Sequence, residues 1–482
     1  MRPIDLIRDD PERVRATLTA RGSDAPLDRI IELDAKAKKL RSEVETLRGE
    51  RNKASKGGPP TDEVKARMRD VGDRIAAIER ELAVIEDELR AAVLWIPNVI
   101  DPDVPIGAGE ADNPVIREDS PQPLAFPGLP HWELGERLGI LDIPRGTKLS
   151  GSRFYLFRGA GAALQRALIT WMLDVHVRDG FTEIYPPPVT RRETLLASAH
   201  LPHFDENLYR DEDDDVWLIP TAEPQLVSIH RDETVPFEKL PIKYVAYTPC
   251  FRREHMSAGR DVRGIKRVHW FDKVEMVVLC APEDSRRMLE ELTARAAMIL
   301  ERLELPVQVT ERCSADLGFV AKKGFDVQAW GPVMGEWLEV SSCSDGGSLQ
   351  AERANIRFKR DPKGKVERPH ILNASGVALS RLMIAILENY QQADGSLLIP
   401  TVLRPYLHGR ERIDGGVLEL GGLRPRARRF HERRASLGDE VPGPEALEGR
   451  ERRVVFDSGA GGVATDREEP AARQAQRCDR DR

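Results

Sequence analysis

Between residues 27 and 95 apolar side chains recur at alternating steps of three and four. Ile30, Leu33, Ala37, Leu40, Val44 and Leu47 form one run; Val64, Met68, Val71, Ile75, Ile78, Leu82, Ile85 and Leu89 form a second. This spacing puts the side chains on one narrow helical stripe, the seam of a coiled coil. Gly57-Gly58-Pro59-Pro60 lies between the runs. Two glycines and two prolines cannot continue either helix, so the chain must reverse there. The pattern predicts an antiparallel helical hairpin with arms of about 30 residues, each roughly 45 Å long at about 1.5 Å per residue.

Charge divides unevenly along the hairpin. Residues 36–56 carry eight bases (Lys36, Lys38, Lys39, Arg41, Arg48, Arg51, Lys53, Lys56) against Glu43, Glu45 and Glu50, whereas 61–92 carry six bases and nine acids. Complementary charge on solvated helix faces accounts for this. So does a basic rod that tracks a nucleic-acid backbone. Charge alone does not choose between them.

The whole chain has 482 residues, 40% hydrophobic and 32% charged, with a net charge of −7. That is the balance of a globular protein of two to four domains and argues against wholesale disorder. No run approaches the roughly 18 apolar residues of a membrane helix. The first ten residues bring acids at once and lack an apolar signal core, so secretion is not expected. The five cysteines, at 250, 280, 313, 343 and 478, form no C-x-x-C pair. Neither a disulfide framework nor a thiolate zinc site is indicated, and a reducing cytoplasm fits.

Four regions are expected. Residues 1–100 hold the arm. Residues 101–139, with seven prolines from Pro102 to Pro130, read as a linker with short structured segments. Residues 140–413 read as an α+β domain, with a helix over Leu164 to Val177 and others over 283–303 and 376–393. Strands are expected at Phe181 to Tyr185, Lys243 to Thr248, Val274 to Leu279 and Val307 to Thr310. From 414 to 482 no lysine occurs, arginine appears 14 times, and no period is sustained, so disorder is expected.

Two segments suggest chemistry. Phe251-Arg252-Arg253-Glu254 precedes a polar loop with Gly259 and Gly264, and the chain returns through Lys266 to Met276. A strand, a basic loop and a returning strand can offer Arg252 and Arg263 to one polyphosphate, since the planar guanidinium forks onto phosphate oxygens. An ordinary solvated hairpin is the alternative. In the second segment a small-residue strand, Ile371 to Gly376, leads to a helix bearing Arg381, which could cover the same phosphate or be a stray arginine on a core helix.

These segments closely resemble motifs 2 and 3 of the class II aminoacyl-tRNA synthetases, and Gly180-Phe181-Thr182-Glu183-Ile184-Tyr185-Pro186-Pro187 resembles motif 1. Within that class the resemblance is to the seryl-tRNA synthetase family. It is carried by Thr221-Ala222-Glu223, Arg260-Asp261-Val262-Arg263-Gly264, Glu339-Val340-Ser341-Ser342-Cys343-Ser344, Gln350 to Arg357, and Glu388-Asn389-Tyr390-Gln391-Gln392-Ala393-Asp394-Gly395. The helical hairpin belongs to the same family, and the likeness spans about residues 1–413.

The resemblance implies a class II catalytic domain, an antiparallel sheet flanked by helices, behind a tRNA-binding arm. It implies an ATP-dependent ligase that forms seryl-adenylate and passes serine to tRNA(Ser), and also to tRNA(Sec). Such chemistry needs alignment and charge stabilisation more than acid or base catalysis. By the same resemblance Arg252 would contact the α-phosphate and the serine carboxylate, Glu254 the adenine amino group, and Phe271 would stack on adenine for roughly 1–3 kcal/mol. Arg381, with Arg263, would hold the γ-phosphate. Arg253, Val268, Val340 and Ser341 complete the implied ATP set. Glu339 and Ser342 would coordinate Mg²⁺. Thr221, Ala222, Glu223, Arg252, Glu275 and Ser375 would form the serine pocket. Motif 1 implies a homodimer built around Pro187, and nothing implies a membrane.

Trp270 stands where the family usually has glutamine, and Ala374 and Ser380 where glycine is common. As neighbours on a strand, Trp270 and Phe271 can face opposite ways, so activity is expected to be retained. A relative that loads an amino acid onto a carrier protein would lack the arm. An inactive paralogue kept as an RNA-binding scaffold would have lost Arg252, Arg381, Glu339 or Glu275. The 414–482 segment matches no familiar pattern and is read as a dispensable extension, conceivably read-through or out-of-frame translation. An appended RNA-binding tail is the rival, although interspersed acids from Glu432 to Asp481 dilute its charge.

Overall fold

The computed structural model describes residues 3–54, 61–255 and 263–414. Two short helices, Pro3–Asp9 and Pro11–Arg21, precede α1 (Leu27–Ala54) and α2 (Asp62–Val93). The apolar stripe is what joins the long pair. Ile30, Leu33, Ala37, Val44 and Leu47 are buried on α1, as are Val71, Ile75, Ile78, Ile85 and Leu89 on α2. Removing one such Leu or Ile side chain costs about 2–5 kcal/mol. Thr61 accepts a hydrogen bond from the Val64 amide and starts α2. The expected Gly-Gly-Pro-Pro turn lies outside the described residues.

Outside the seam, six ion pairs among the described residues cross between the helices: Arg29–Glu88, Lys36–Glu81, Arg41–Glu86, Arg48–Glu79 and Glu43–Arg74 at 2.5–2.9 Å, and Glu50–Arg67 at 4.0 Å. Exposed pairs contribute at most about 1 kcal/mol each, so their main effect is on register and alignment. Much of the positive excess is therefore neutralised within the hairpin. Among the described residues, Lys38, Lys39 and Lys53 have no carboxylate within ion-pair distance.

The rest is organised on an eight-stranded sheet: β1 (Val115–Glu118), β2 (Thr182–Glu183), β3 (Ile242–Phe251), β4 (Trp270–Cys280), β5 (Val307–Glu311), β6 (Lys323–Gly331), β7 (Glu336–Asp345) and β8 (His370–Ala378). The spatial order is β1-β5-β6-β7-β8-β4-β3-β2. Every pairing is antiparallel except β2 with β3. The helices α3 (Ala160–Arg178), α4 (Ser285–Arg302) and α5 (Leu379–Tyr390) bury their apolar stripes in the main core with this sheet. The α+β class with an antiparallel sheet and flanking helices is thus observed.

The stretch 101–139, read as a linker with short structured segments, carries one such segment in β1, which pairs with β5 at the sheet edge. Two local readings change. The helix expected from 376 starts at Leu379, because β8 stays paired with β4, across a register shift after Ser375, as far as the Ala378–Lys273 pair. The strand expected over Phe181 to Tyr185 pairs only at Thr182–Glu183, since the prolines that follow lack ladder donors. The calls on 414–482 lie outside the described residues beyond Asp414. Among the described residues no helix is long and apolar enough to cross a membrane, and Cys250, Cys280, Cys313 and Cys343 are buried free thiols.

Candidate active site

A cavity of about 510 Å³ opens over β4, β7 and β8. Strand periodicity selects its lining. Phe271, Lys273 and Glu275 alternate along β4 and all face it, as do Asn373 and Ser375 on β8. On β7 the ladder slips between Glu339 and Ser341. This bulge re-aims the strand, so Glu339 and Ser342, three apart, both line the cavity.

One end of the cavity is acidic and buried. Glu223 opens the short helix Glu223–Ser228. Its Oε1 accepts hydrogen bonds from Gln350 Nε2 at 2.6 Å and Asn373 Nδ2 at 2.9 Å. Glu275 Oε2 lies 2.6 Å from Lys273 Nζ and accepts from Ser375 Oγ at 3.3 Å. Burial pushes both carboxyls above the ordinary glutamate range, with Lys273 opposing the shift. Nearby His200 is held neutral: burial first, then Arg252 and Lys273, push it down to about 3.

The other end is cationic. The Arg252 guanidinium lies over the Phe271 ring, 5.2 Å from its centroid. Arg381 Nη1 donates to the Glu339 carbonyl at 2.8 Å and stands 3.2 Å from its carboxylate. Arg312 Nη1 donates to Ser342 Oγ at 2.8 Å. The Glu339 side chain is partly open to the cavity yet enclosed by protein around it. That enclosure raises its pKa, but Arg381, Arg312 and Arg252 together outweigh it and the net shift is downward. Glu339 is therefore an anion in a field of three arginines.

Of the residues named from the sequence, Thr221, Glu223, Arg252, Glu254, Val268, Phe271, Glu275, Glu339, Val340, Ser341, Ser342, Ser375 and Arg381 line this one cavity. Three do not. Arg253 turns away: its Nε donates to the Leu208 carbonyl at 2.9 Å and its guanidinium covers Tyr209. Ala222 is fully buried in a second apolar cluster under the sheet. Arg263 is exposed, so the expected pairing of Arg252 and Arg263 is not among the described contacts. The rest of its loop, 256–262, lies outside the described residues.

Lining residues that sequence reasoning passed over include His200, Lys273, Arg312 and Asn373. Lys273 and Asn373 were legible from alternation, each lying two residues from a predicted site residue on the same strand. Arg312 carried no such signal.

The matches to known proteins follow the same division of the chain. Residues 1–100 match the family model described as the seryl-tRNA synthetase N-terminal domain, and 204–390 match the tRNA synthetase class II core domain (G, H, P, S and T). The chain is 51% identical over 421 residues to the serine--tRNA ligase of Thermomicrobium roseum, covering 86% of this chain and 95% of that one. Identity to the serine--tRNA ligase of Chloroflexus aurantiacus is 50%, over all of that protein. The chain belongs to the seryl-tRNA synthetase family. The solved seryl-tRNA synthetase of Pyrococcus horikoshii, described as complexed with ATP, matches 86% of this chain and 100% of its own, with a TM-score of 0.82 and 36% identity.

Family membership makes the three unusual residues pointed, and their positions explain why they fit. Trp270 is turned off the cavity and stacks on Tyr155, ring centroids 5.5 Å apart, while Phe271 beside it faces the cavity. Ala374 is fully buried on the opposite side of β8 from Asn373 and Ser375. Ser380 does line the cavity, beside Arg381. In a seryl-tRNA synthetase that leaves one departure of the three in contact with the site.

Proposed function

We infer that this chain activates L-serine with ATP and transfers it to tRNA. The observation that carries this reading is one cavity with a buried acidic end, Glu223 and Glu275, joined to a cationic end, Arg252, Arg381 and Arg312. A small zwitterion with its ammonium between the two carboxylates would present its carboxylate toward Arg252. Attack of that carboxylate oxygen on the ATP α-phosphorus forms the mixed anhydride and releases pyrophosphate. A terminal ribose hydroxyl of tRNA then attacks the serine carbonyl and releases AMP. Arg252 would hold the reacting carboxylate and α-phosphate, Arg381 the distal phosphates, and Phe271 the adenine, with Glu254 and Val268 at its edge. Removing one preorganised donor aimed at developing transition-state charge costs about 3–4 kcal/mol in acyl-transfer enzymes, which sets the scale expected for Arg252 and Arg381.

The donor set suits Mg²⁺. Glu339 is ionised and Ser342 adds a hydroxyl, and two hard protein oxygens are what this ion takes when phosphates and water supply the rest. Bound there, it would neutralise phosphate charge. Arg381 and Arg312 already hold these two oxygens and keep them oriented toward the cavity.

The domain limits 1–100, 101–139, 140–413 and 414–482 are proposed as functional units, the first for tRNA and the last dispensable. A homodimer is proposed through the motif 1 region, supported by Tyr185, 88% exposed there. Cytoplasmic location and use of tRNA(Sec) are proposed on the family resemblance. An inactive scaffold is disfavoured because Arg252, Arg381, Glu339 and Glu275 all face one cavity, and a carrier-protein loader because the arm is present. The deciding experiment is serine-dependent ATP–pyrophosphate exchange followed by charging of purified tRNA(Ser). Absence of exchange with serine would sink the reading.

A further inference from the structure

The loop between β5 and β6 supplies Gly318, Phe319, Val320 and Ala321 to the cavity wall. It has no strand partner, so its carbonyls must find donors elsewhere. Six in succession, from Leu317 to Lys322, each accept a hydrogen bond from Arg21, Asn98 or Asp101, and the Gly318 carbonyl accepts a second from the Ala321 amide at 3.1 Å. Arg21 Nη1 donates to the carbonyls of Leu317 at 3.0 Å and Gly318 at 3.2 Å, and its Nη2 to that of Ala321. The Asn98 amide donates to Phe319 O at 3.0 Å, and Asn98 Nδ2 to Val320 O at 2.9 Å. The Asp101 amide donates to Lys322 O at 3.0 Å.

These donors sit at the two roots of the helical arm. Arg21 ends the helix before α1, while Asn98 and Asp101 follow the end of α2. Arg21 is also unusual as a guanidinium. Among the described residues it has no carboxylate within ion-pair distance and spends its hydrogen bonds on backbone carbonyls; burial lowers its pKa, and nearby Arg312 lowers it further. Such an arrangement adds little to charge balance and much to geometry. The loop in turn supports the acidic end of the cavity. Phe319 stacks on His203, centroids 4.1 Å apart and 11° from parallel, and the same segment carries His200, 4.0 Å from Glu223.

We propose that Arg21 and Asn98 are positioning residues for serine, acting through the 317–322 loop. The N-terminal region thereby forms part of the amino-acid site as well as a handle for RNA. The proposal rests on the serine-activation reading and adds a contribution that no cavity-lining residue makes. It locates the effect on one substrate, because the loop touches the His200–His203 segment, whereas Phe271 and Val268 lie on the returning strand β4 and its approach and Glu254 just beyond the end of β3.

The test is pyrophosphate exchange without tRNA, using full-length Arg21→Ala, Arg21→Lys and Asn98→Ala, each with its melting temperature. Arg21→Ala and Asn98→Ala should raise the KM for serine about tenfold and change that for ATP less than about threefold. Arg21→Lys should not rescue, because one ammonium cannot span three carbonyls as a planar fork does. Wild-type serine KM in both alanine variants, an equal loss for both substrates, or full rescue by lysine would overturn the proposal. If Arg21→Ala fails to fold, Asn98→Ala decides alone. Absence of exchange in the wild type would instead refute the serine-activation reading itself.

Discussion

Lys273 Nζ lies 2.6 Å from Glu275 Oε2, two residues along one strand, and both side chains are buried. A buried pair is held by each partner's need of the other. Removing one leaves an uncompensated charge at a cost of about 3–5 kcal/mol, while removing both together costs far less. Lys273→Met and Glu275→Gln should therefore each destabilise strongly, and the double variant by clearly less than their sum. Urea unfolding of the four proteins gives the coupling directly; additive losses would show that the pair is not a unit. Serine exchange should be poor in both single variants.

Arg252→Ala and Arg381→Ala should each slow adenylate formation by about 10²–10³-fold with folding largely intact. Arg381 also faces Glu339, so its loss should weaken the apparent affinity for Mg²⁺·ATP as well. Wild-type exchange at limiting ATP in either variant would remove that residue from its assigned role.

On the arm, Arg41 and Arg48 are paired across the hairpin, whereas Lys38 and Lys39 are not among the described ion pairs. Lys38→Glu with Lys39→Glu should weaken tRNA binding and flatten its salt dependence, by roughly 0.7–0.9 in log–log slope per lost phosphate contact. Arg41→Ala should do much less. Serine exchange should stay at the wild-type level in both variants. An unchanged slope in the lysine variant would mean that RNA takes another path.

His176 is fully buried on α3 and shares a hydrogen bond with the Gly376 carbonyl at 3.1 Å. Burial pushes its pKa down to about 4. In the unfolded chain it titrates near 6.5, so between these values only the unfolded state binds the proton. The stability is present in full above pH 6.5 and is lost as the pH falls toward 4, at up to about 1.4 kcal/mol per pH unit. Replacing His176 by Asn should flatten this acid limb by one proton relative to wild type, measured as unfolding free energy from pH 4.5 to 7. Parallel curves would show that the imidazole charges in place.

Much of this molecule is written in local pattern. The heptads from Ile30 to Leu89 specify the α1–α2 pair because helix periodicity and a proline–glycine break are properties of neighbouring residues. Strand alternation carries Phe271, Glu275 and Ser375 to one face for the same reason. The strands β6 and β7 were not anticipated. Polar residues such as Asp326, Gln328, Ser341 and Ser344 are buried there, which erases the apolar alternation that usually marks a strand. The β7 bulge depends on how its hairpin partner strand pairs, at Gln328 and Val327, and the direction of Arg253 on Leu208 and Tyr209, some 45 residues away for Leu208. Arg312 and Arg21 were invisible for the same reason.

The bonds from Arg21 to the 317–322 loop span 296 to 300 residues of chain, and that from the Asn98 side chain to Val320 spans 222. Synthesis runs from the N-terminus, so the donors leave the ribosome long before their acceptors. The hairpin between them closes on contacts only 31 to 59 residues apart, and such local structure forms early. Its roots then wait, with their donors turned to water, until β5 and β6 arrive. A nascent chain cut short before Leu317 thus has a folded arm but no finished wall for the cavity, so the arm is complete before the site its roots help to build.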